Sequence, residues 1–357
     1  MYRLRLRIVS RLALLAIALV FLAAPVLAAA EPEPNPQALA RVMAVQDRHT
    51  PRLMAPPGVV GTATGLDGAG NPVVKVYVTH AGVAGLPNNV EGVPVVVEVS
   101  GKFFALPKPP GGGSKPPRVD RTAWFDSPVP IGVSTGHPNI TAGTIGCRVK
   151  DLSGKVYALS NNHIYADCNY ANYGDIVLQP GPYDGGGKTP GRDDVIGRLS
   201  SWAVIVFSSQ ADNTIDAAIA LNDPMSMRTM GKATPLDGYG TPKSATVPAS
   251  IRQKVKKYGR TTGLTTGTVK AVNATVLVSY GDVNGDSIDD VARFVSQIIV
   301  TPGSFSAGGD SGSLVVQNGG TNDRKPVGLL FAGSATMTVC NPIDLVLDGL
   351  GLTIDGE

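Results

Sequence analysis

Apolar residues follow three patterns along the chain. The first is an uninterrupted run: Arg3, Arg5, Arg7 and Arg11 precede an uncharged stretch from Leu12 to Ala30 that holds Leu14, Leu15, Ile17, Leu19, Val20 and Phe21. A basic start, a short apolar run, Pro25 and the small residues Ala28, Ala29 and Ala30 predict a secretory signal peptide over 1–30, cleaved after Ala28 or Ala30. The alternative for the same run is an uncleaved membrane anchor. The second pattern is helical spacing: Leu39, Val42, Met43 and Val45 share one face of Gln37 to Arg48, and Pro51 is expected to stop that helix. The third is short β-type runs. VVGTATGL and VVKVYV flank DGAGN, a hairpin signal with Asp67, Gly68, Gly70 and Asn71 in the loop, and VPVVVEVSGKFFAL reads as another strand pair. Residues 31–106 are thus expected to form a small α/β domain, near the lower size limit for folding alone.

PKPPGGGSKPPR, residues 107–118, is proline and glycine without apolar anchors, and predicts a linker. After it, 119–357 carries TAGTIGCRV, VYALSN, DIVLQ, WAVIVF, AAIAL, ATVLVSYG, SQIIVT, SLVVQ and VGLLFA, separated by Gly, Asn, Asp and Pro. Only IDLVLDGL near the end has helical spacing. Punctuated strands without intervening helices predict an all-β barrel or sandwich.

Composition narrows the class. With 43% hydrophobic and 17% charged residues the chain can bury a core, which excludes wholesale disorder. The formal charge is +3, but the four arginines before Leu12 account for it; without them 27 basic residues face 28 acidic ones. No nucleic-acid partner is therefore expected, and no membrane partner after signal-peptide removal. Export permits disulfides, but Cys147, Cys168 and Cys340 are odd in number, so at least one is unpaired within the chain.

Candidate chemistry centres on SAGGDSGSLVV, Ser306 to Val316. A nucleophilic serine needs a tight turn and nearby backbone N–H groups for a negatively charged oxygen, and the amides of Gly309 and Ser311 can supply them. A Gly-rich strand turn is the bland alternative. Four histidines compete to be the base. His49 and His80 precede the linker, and His137 sits in a Gly/Pro/Asn loop expected to be solvated. His163 ends the apolar run VYALSNN, which makes it the choice. Asp216 in NTIDAAIAL is a single charge in an apolar segment, a costly place without a partner, whereas Asp193, Asp194 and Asp212 lie in polar loops. The candidate order is His163, Asp216, Ser311.

With these residues in place, the part after the linker resembles the bacterial chymotrypsin-like (trypsin-like) serine endopeptidases. GTIGC with ALSNNH resembles the strand pair leading to the family's histidine, with Asn161 and Asn162 where small alanines are usual. TIDAAIAL resembles the strand around the aspartate, KKYGRTTGLTTGTV a second-barrel hairpin of the streptogrisin and α-lytic protease relatives, GGDSGS the nucleophile loop, and VGLLFAG the strand lining the substrate cleft. The resemblance implies an all-β, chymotrypsin-like double antiparallel β-barrel with a C-terminal helix near Ile343 to Leu350, preceded here by the small α/β domain. It implies a secreted endopeptidase, extracellular or periplasmic, that hydrolyses polypeptide substrates through an acyl-enzyme on Ser311 without a cofactor. It also implies a specificity pocket with Phe305 at its base and Phe331, Ala332 and Gly333 as one wall; a shifted alignment places Ser304 or Ser306 at the base instead. A Cys147–Cys168 disulfide flanking the histidine is a further expectation, with Cys340 free. Residues 31–106 are then either an intramolecular prosegment or a permanent accessory domain. A catalytically inactive binding or adhesion protein and an esterase are the alternative functions. DVNGDSIDD places Asp282, Asn284, Asp286 and Asp290 at a calcium-loop spacing, but Ser287 and Arg293 stand where that loop wants glycine and glutamate, so no metal is expected.

Overall fold

A computed structural model describes residues 35–105, 119–223 and 228–357. The predicted signal peptide and the predicted linker at 107–118 lie outside the described residues.

Helix α1 spans Pro36–Leu53. Asn35 caps it, its side-chain oxygen accepting from the amides of Gln37 (2.9 Å) and Ala38 (3.3 Å), and Pro36 opens it where a missing N–H costs nothing. Pro51 does not stop the helix as expected. It falls in the last turn, where it forfeits one hydrogen bond, and Met54 still donates to Thr50. Val42, Val45 and Leu53 bury one face, and the buried Gln46 ties the helix to the sheet, donating to the Asn273 carbonyl at 2.7 Å.

Strands β1 (Val59–Leu66) and β2 (Pro72–Val78) form the predicted hairpin, whose turn is closed by Asp67 accepting from the amides of Ala69 and Asn71. The segment at 89–105 departs from the expected strand pair. Following the two-residue β3 (Asn89–Val90), β4 (Val93–Val99) lies parallel to β2, while β5 (Phe103–Ala105) turns away and pairs elsewhere. The N-terminal strands continue edge-to-edge into the later chain. There β1 pairs antiparallel with the long strand Gly263–Ser279, Gly61 standing opposite Val276 and Gly65 opposite Ala271.

The rest of the chain is mostly β with few helices. After the short pair β6 (Ser134–Thr135) and β7 (Gly143–Thr144) come β8 (Cys147–Lys150), β9 (Val156–Ser160), the short helix α2 (Asn162–Tyr165), β10 (Ile176–Leu178), β11 (Val195–Trp202), β12 (Asp212–Asn213) and β13 (Ala218–Leu221). With β20 at Thr353–Ile354, one sheet runs β10-β11-β13-β9-β8-β20 around a core that includes Ile145, Leu159, Ile196 and Ile219. Strands β14 (Lys254–Gly259), β15 (Gly263–Ser279), β16 (Val291–Thr301), β17 (Leu314–Gln317), β18 (Pro326–Gly333) and β19 (Thr338–Pro342) pair in a closed cycle: β14 with β15, β15 with β16, β16 with β19, β19 with β18, β18 with β17, and β17 with β14. The predicted terminal helix is α3 (Ile343–Leu350), ended by Gly351 in the left-handed conformation at φ +68°.

Candidate active site

Strand β9 pairs with β13 at Ser160↔Ala218, which brings the turn after β9 beside the segment before β13. His163 stands in that turn and Asp216 two residues ahead of β13, fully buried. His163 Nδ1 meets Asp216 Oδ2 at 2.5 Å, and because a carboxylate only accepts, Nδ1 carries the proton. The His163 amide also donates to Oδ1 at 3.3 Å. The two asparagines that replace the expected alanines have work here. Asn161 donates to the Asp216 carbonyl at 2.7 Å, and Asn162 donates to Asn169 (2.8 Å) and to the Ala203 carbonyl (2.7 Å), fixing the histidine turn on both sides.

Asp216 has two further supports that the sequence did not reveal. Tyr280, just beyond the end of β15, donates its hydroxyl to Asp216 Oδ2 at 2.9 Å and sets its ring edge-on to His163, centroids 5.9 Å apart. Burial, and then the Asp216 carboxylate, push the phenol well above its usual pKa, so it keeps its proton and donates. Asn341 accepts from the Asp216 amide at 3.1 Å and donates to Gln297 at 2.8 Å. Asn341 follows Val339 and Cys340, and Gln297 precedes Ile298 and Ile299; since a buried polar group needs a partner, a polar residue beside such an apolar pair is the signal that could have found them.

Ser311 follows Gly309 and precedes Gly312, both at φ +91°, a conformation that favours glycine. A side chain at 312 would collide with Ser160 Oγ and the Thr144 carbonyl, so the serine turn sits directly against the end of β9, three residues before His163. Thr144 donates through its amide to the Ser311 carbonyl (2.8 Å) and through its hydroxyl to the Gly309 carbonyl (2.9 Å). Among the described residues, neither the Gly309 nor the Ser311 amide has an acceptor. Asp310 anchors the turn from below: its carboxylate accepts from the amides of Thr261 (2.9 Å), Thr262 (3.1 Å) and Ala307 (3.0 Å), and Lys257 Nζ lies 3.2 Å away, both charges fully buried. Burial pushes the Lys257 ammonium down while Asp310 pulls it back.

The hydroxyl of Ser311 donates to the Phe331 carbonyl at 3.4 Å, and His163 Nε2 is buried without a partner. The structure thus joins His163 to Asp216 and seats Ser311 against the same strand end, without a Ser311–His163 hydrogen bond. Such contacts are commonly loose before substrate binds. The competing residues go elsewhere: Asp194 pairs with Arg192, Asp212 with Arg293, and His49 with Glu91. His137 is not solvated as expected. It is buried, with Nε2 3.3 Å from Asp175, because the short β6 and β10 draw its loop inward.

Three other expectations need correction or restatement. All three cysteines are free, with no Cys147–Cys168 bridge. Cys147 points into the core of the first sheet, whereas Cys168 sits in the loop near Asp216 and Tyr280, and burial pushes both thiols up. Phe305 is fully buried in a core cluster with Val255, Val269 and Leu330, and Phe331 packs on Phe294 with centroids 4.8 Å apart, so neither ring stands open as a pocket surface. Ala332 and Gly333 pair with β5. In the 282–290 loop, the side chains of Asp282, Asn284, Asp286 and Asp290 accept from the loop's own amides, at Gly285 and Ser287, Asp286, Ile288, and Val283 respectively.

Residues 131–341, more than half of the chain, match the Nal1 C-terminal domain family, and the chain belongs to that family. It is similar to Protein NARROW LEAF 1 of Oryza sativa subsp. japonica, 28% identical over 218 residues that cover 55% of this chain and 34% of that protein. The match thus spans about a third of the relative's length. Among solved structures it is similar to Thermobifida fusca Protease A (TM-score 0.44, 16% identical, 64% of this chain and 99% of that one). Nocardiopsis protease is comparable (TM-score 0.44, 18% identical, 63% and 98%). So is a glutamic acid specific serine protease (TM-score 0.42, 22% identical, 63% and 100%).

Proposed function

We propose that the chain is a serine endopeptidase with His163, Asp216 and Ser311 as its catalytic residues. The observation that carries this reading is the buried His163–Asp216 couple, which fixes the proton on Nδ1 and leaves Nε2 unpartnered at the strand end where the Ser311 turn is seated. In the proposed reaction Ser311 Oγ attacks a peptide carbonyl and passes its proton to His163 Nε2. The Gly309 and Ser311 amides hold the oxyanion. His163 then protonates the leaving amine, and water repeats the sequence to release the acyl group. Asp216 stabilises the imidazolium, while Tyr280 and Asn341 hold Asp216.

The closed six-strand cycle and the six-stranded sheet are read as the two barrels of a chymotrypsin-like fold, with the site between them. Residues 1–30 are proposed as an export signal, the protein as extracellular or periplasmic, and 31–106 as a prosegment. One observation favours a second reading: the Ser311 hydroxyl is turned to the Phe331 carbonyl, as it would be in a binding protein that has kept the fold without the chemistry. Hydrolysis of a peptide library by the purified chain decides between them. Turnover should be lost in Ser311→Ala and His163→Ala to a comparable degree, because such groups act as a unit. Turnover that survives Ser311→Ala excludes the proposed nucleophile.

A further inference from the structure

Beyond Phe331, whose carbonyl lies 3.4 Å from Ser311 Oγ, β18 continues through Ala332 and Gly333. One edge of these two residues pairs with β19, at Val339 and Thr338. The opposite edge is past the reach of β17, whose pairing with β18 covers Pro326 to Leu329. That edge is where an extended peptide presenting a carbonyl to Ser311 would add as a strand, since main-chain pairing on a sheet edge is a general way to hold extended chains. It is already taken. Ala105 pairs antiparallel with Ala332, and Phe104 with Gly333.

The other side of β5 pairs in parallel with Val278 and Ser279, the residues immediately before Tyr280. The strand therefore bridges from the segment that holds Asp216 to the segment beside Ser311. Phe103 anchors it, fully buried and edge-on to Tyr77 with centroids 6.0 Å apart. Phe104, by contrast, is 41% exposed.

We infer that β5 is an intramolecular occupant of the peptide-binding edge, so that a polypeptide reaches Ser311 only by replacing Phe104 and Ala105 on Ala332 and Gly333. This rests on the endopeptidase reading and adds the control of that site. A tethered occupant competes at an effective concentration of roughly millimolar, which a free peptide must overcome. The partner that fits is an extended segment able to pair antiparallel over at least two residues; a compact ester or amide has no need of the edge.

Two probes separate these demands. A small fluorophosphonate needs Ser311 and the oxyanion amides, whereas a tripeptidyl diphenyl phosphonate needs the Ala332–Gly333 edge as well. In each, the Ser311 Oγ–P bond forms, fluoride or phenoxide leaves, and His163 takes the hydroxyl proton. In the full chain, Ala105→Pro removes a ladder N–H and Phe104→Gly lowers strand propensity while keeping the donor. Either variant should speed labelling by the peptidyl probe about tenfold or more and leave the small-probe rate unchanged. Equal peptidyl rates in native and variant chains of equal melting temperature overturn the inference. Should both variants fold poorly, hydrogen exchange on the native chain decides: Phe104 and Ala105 amides must lose protection once the peptidyl probe is bound, and retained protection overturns it. Labelling by neither probe in any folded chain removes the endopeptidase reading itself, and the inference with it.

Discussion

The two halves of the site are built by different physics. His163 and Asp216 sit at the ends of neighbouring strands of the six-stranded sheet and are joined directly, side chain to side chain, at 2.5 Å. Ser311 belongs to the closed strand cycle and makes no such bond; its turn is fixed indirectly, through Asp310, by a fully buried charge pair with Lys257 and three backbone amides. The first half is ordered by hydrogen bonds to a carboxylate whose partners are neutral or titratable. The second is ordered by a buried ion pair below it, which leaves the serine hydroxyl itself free to change partner. Orientation of the proposed base and placement of the proposed nucleophile are therefore separable, and substitutions should tell them apart.

The largest effect is expected on the serine side. Lys257→Met leaves the Asp310 carboxylate buried without its cation, and breaking a buried pair from one side costs about 3–5 kcal/mol. The amides that still bond Asp310 argue for the lower end, about 3 kcal/mol, or a fall of about 5 °C in melting temperature. Scanning calorimetry checks this; a shift under about 2 °C would mean that the ion pair does not hold the turn.

A smaller effect is expected on the histidine side. Tyr280→Phe keeps the ring against His163 and deletes one hydrogen bond to Asp216. Hydrogen bonds to charged groups contribute about 1.5–3 kcal/mol to stability, and the two His163 contacts that remain on the carboxylate argue for the lower end, a fall of about 2 °C in melting temperature, with a loss of peptide turnover as Asp216 loses one of its fixing contacts. Native turnover in a folded Tyr280→Phe chain would reduce Tyr280 to a packing role.

Legibility in the sequence follows the same division. His163, Asp216 and Ser311 stand out as candidates because each disturbs its local pattern: a polar ring at the end of an apolar run, a lone charge among apolar residues, and a serine between glycines. The body of α1, the hairpin at 59–78 and the terminal helix were legible from periodicity and turn residues, but not the end of α1, which runs through Pro51. Tyr280, Lys257 and Asn341 act across strands far apart in sequence, and none breaks a local rule strongly enough to declare its partner. The course of β5 was hidden because FFA is compatible with any sheet edge; only the three-dimensional neighbourhood of Ala332 and Gly333 selects it. Phe305 was assigned by spacing from the serine, whereas burial among Val255, Val269 and Leu330 decides what its ring does.

Everything rests on Ser311 being the atom that attacks. Intact-mass analysis and peptide mapping after treatment with a small fluorophosphonate test this most directly. The expected result is a single adduct on Ser311, formed by the native chain, lost with heat unfolding, and slowed at least about a hundredfold in His163→Ala, since a general base contributes about 10²–10⁴-fold. An adduct on another residue, or none in the folded chain and its β5 variants, would contradict it.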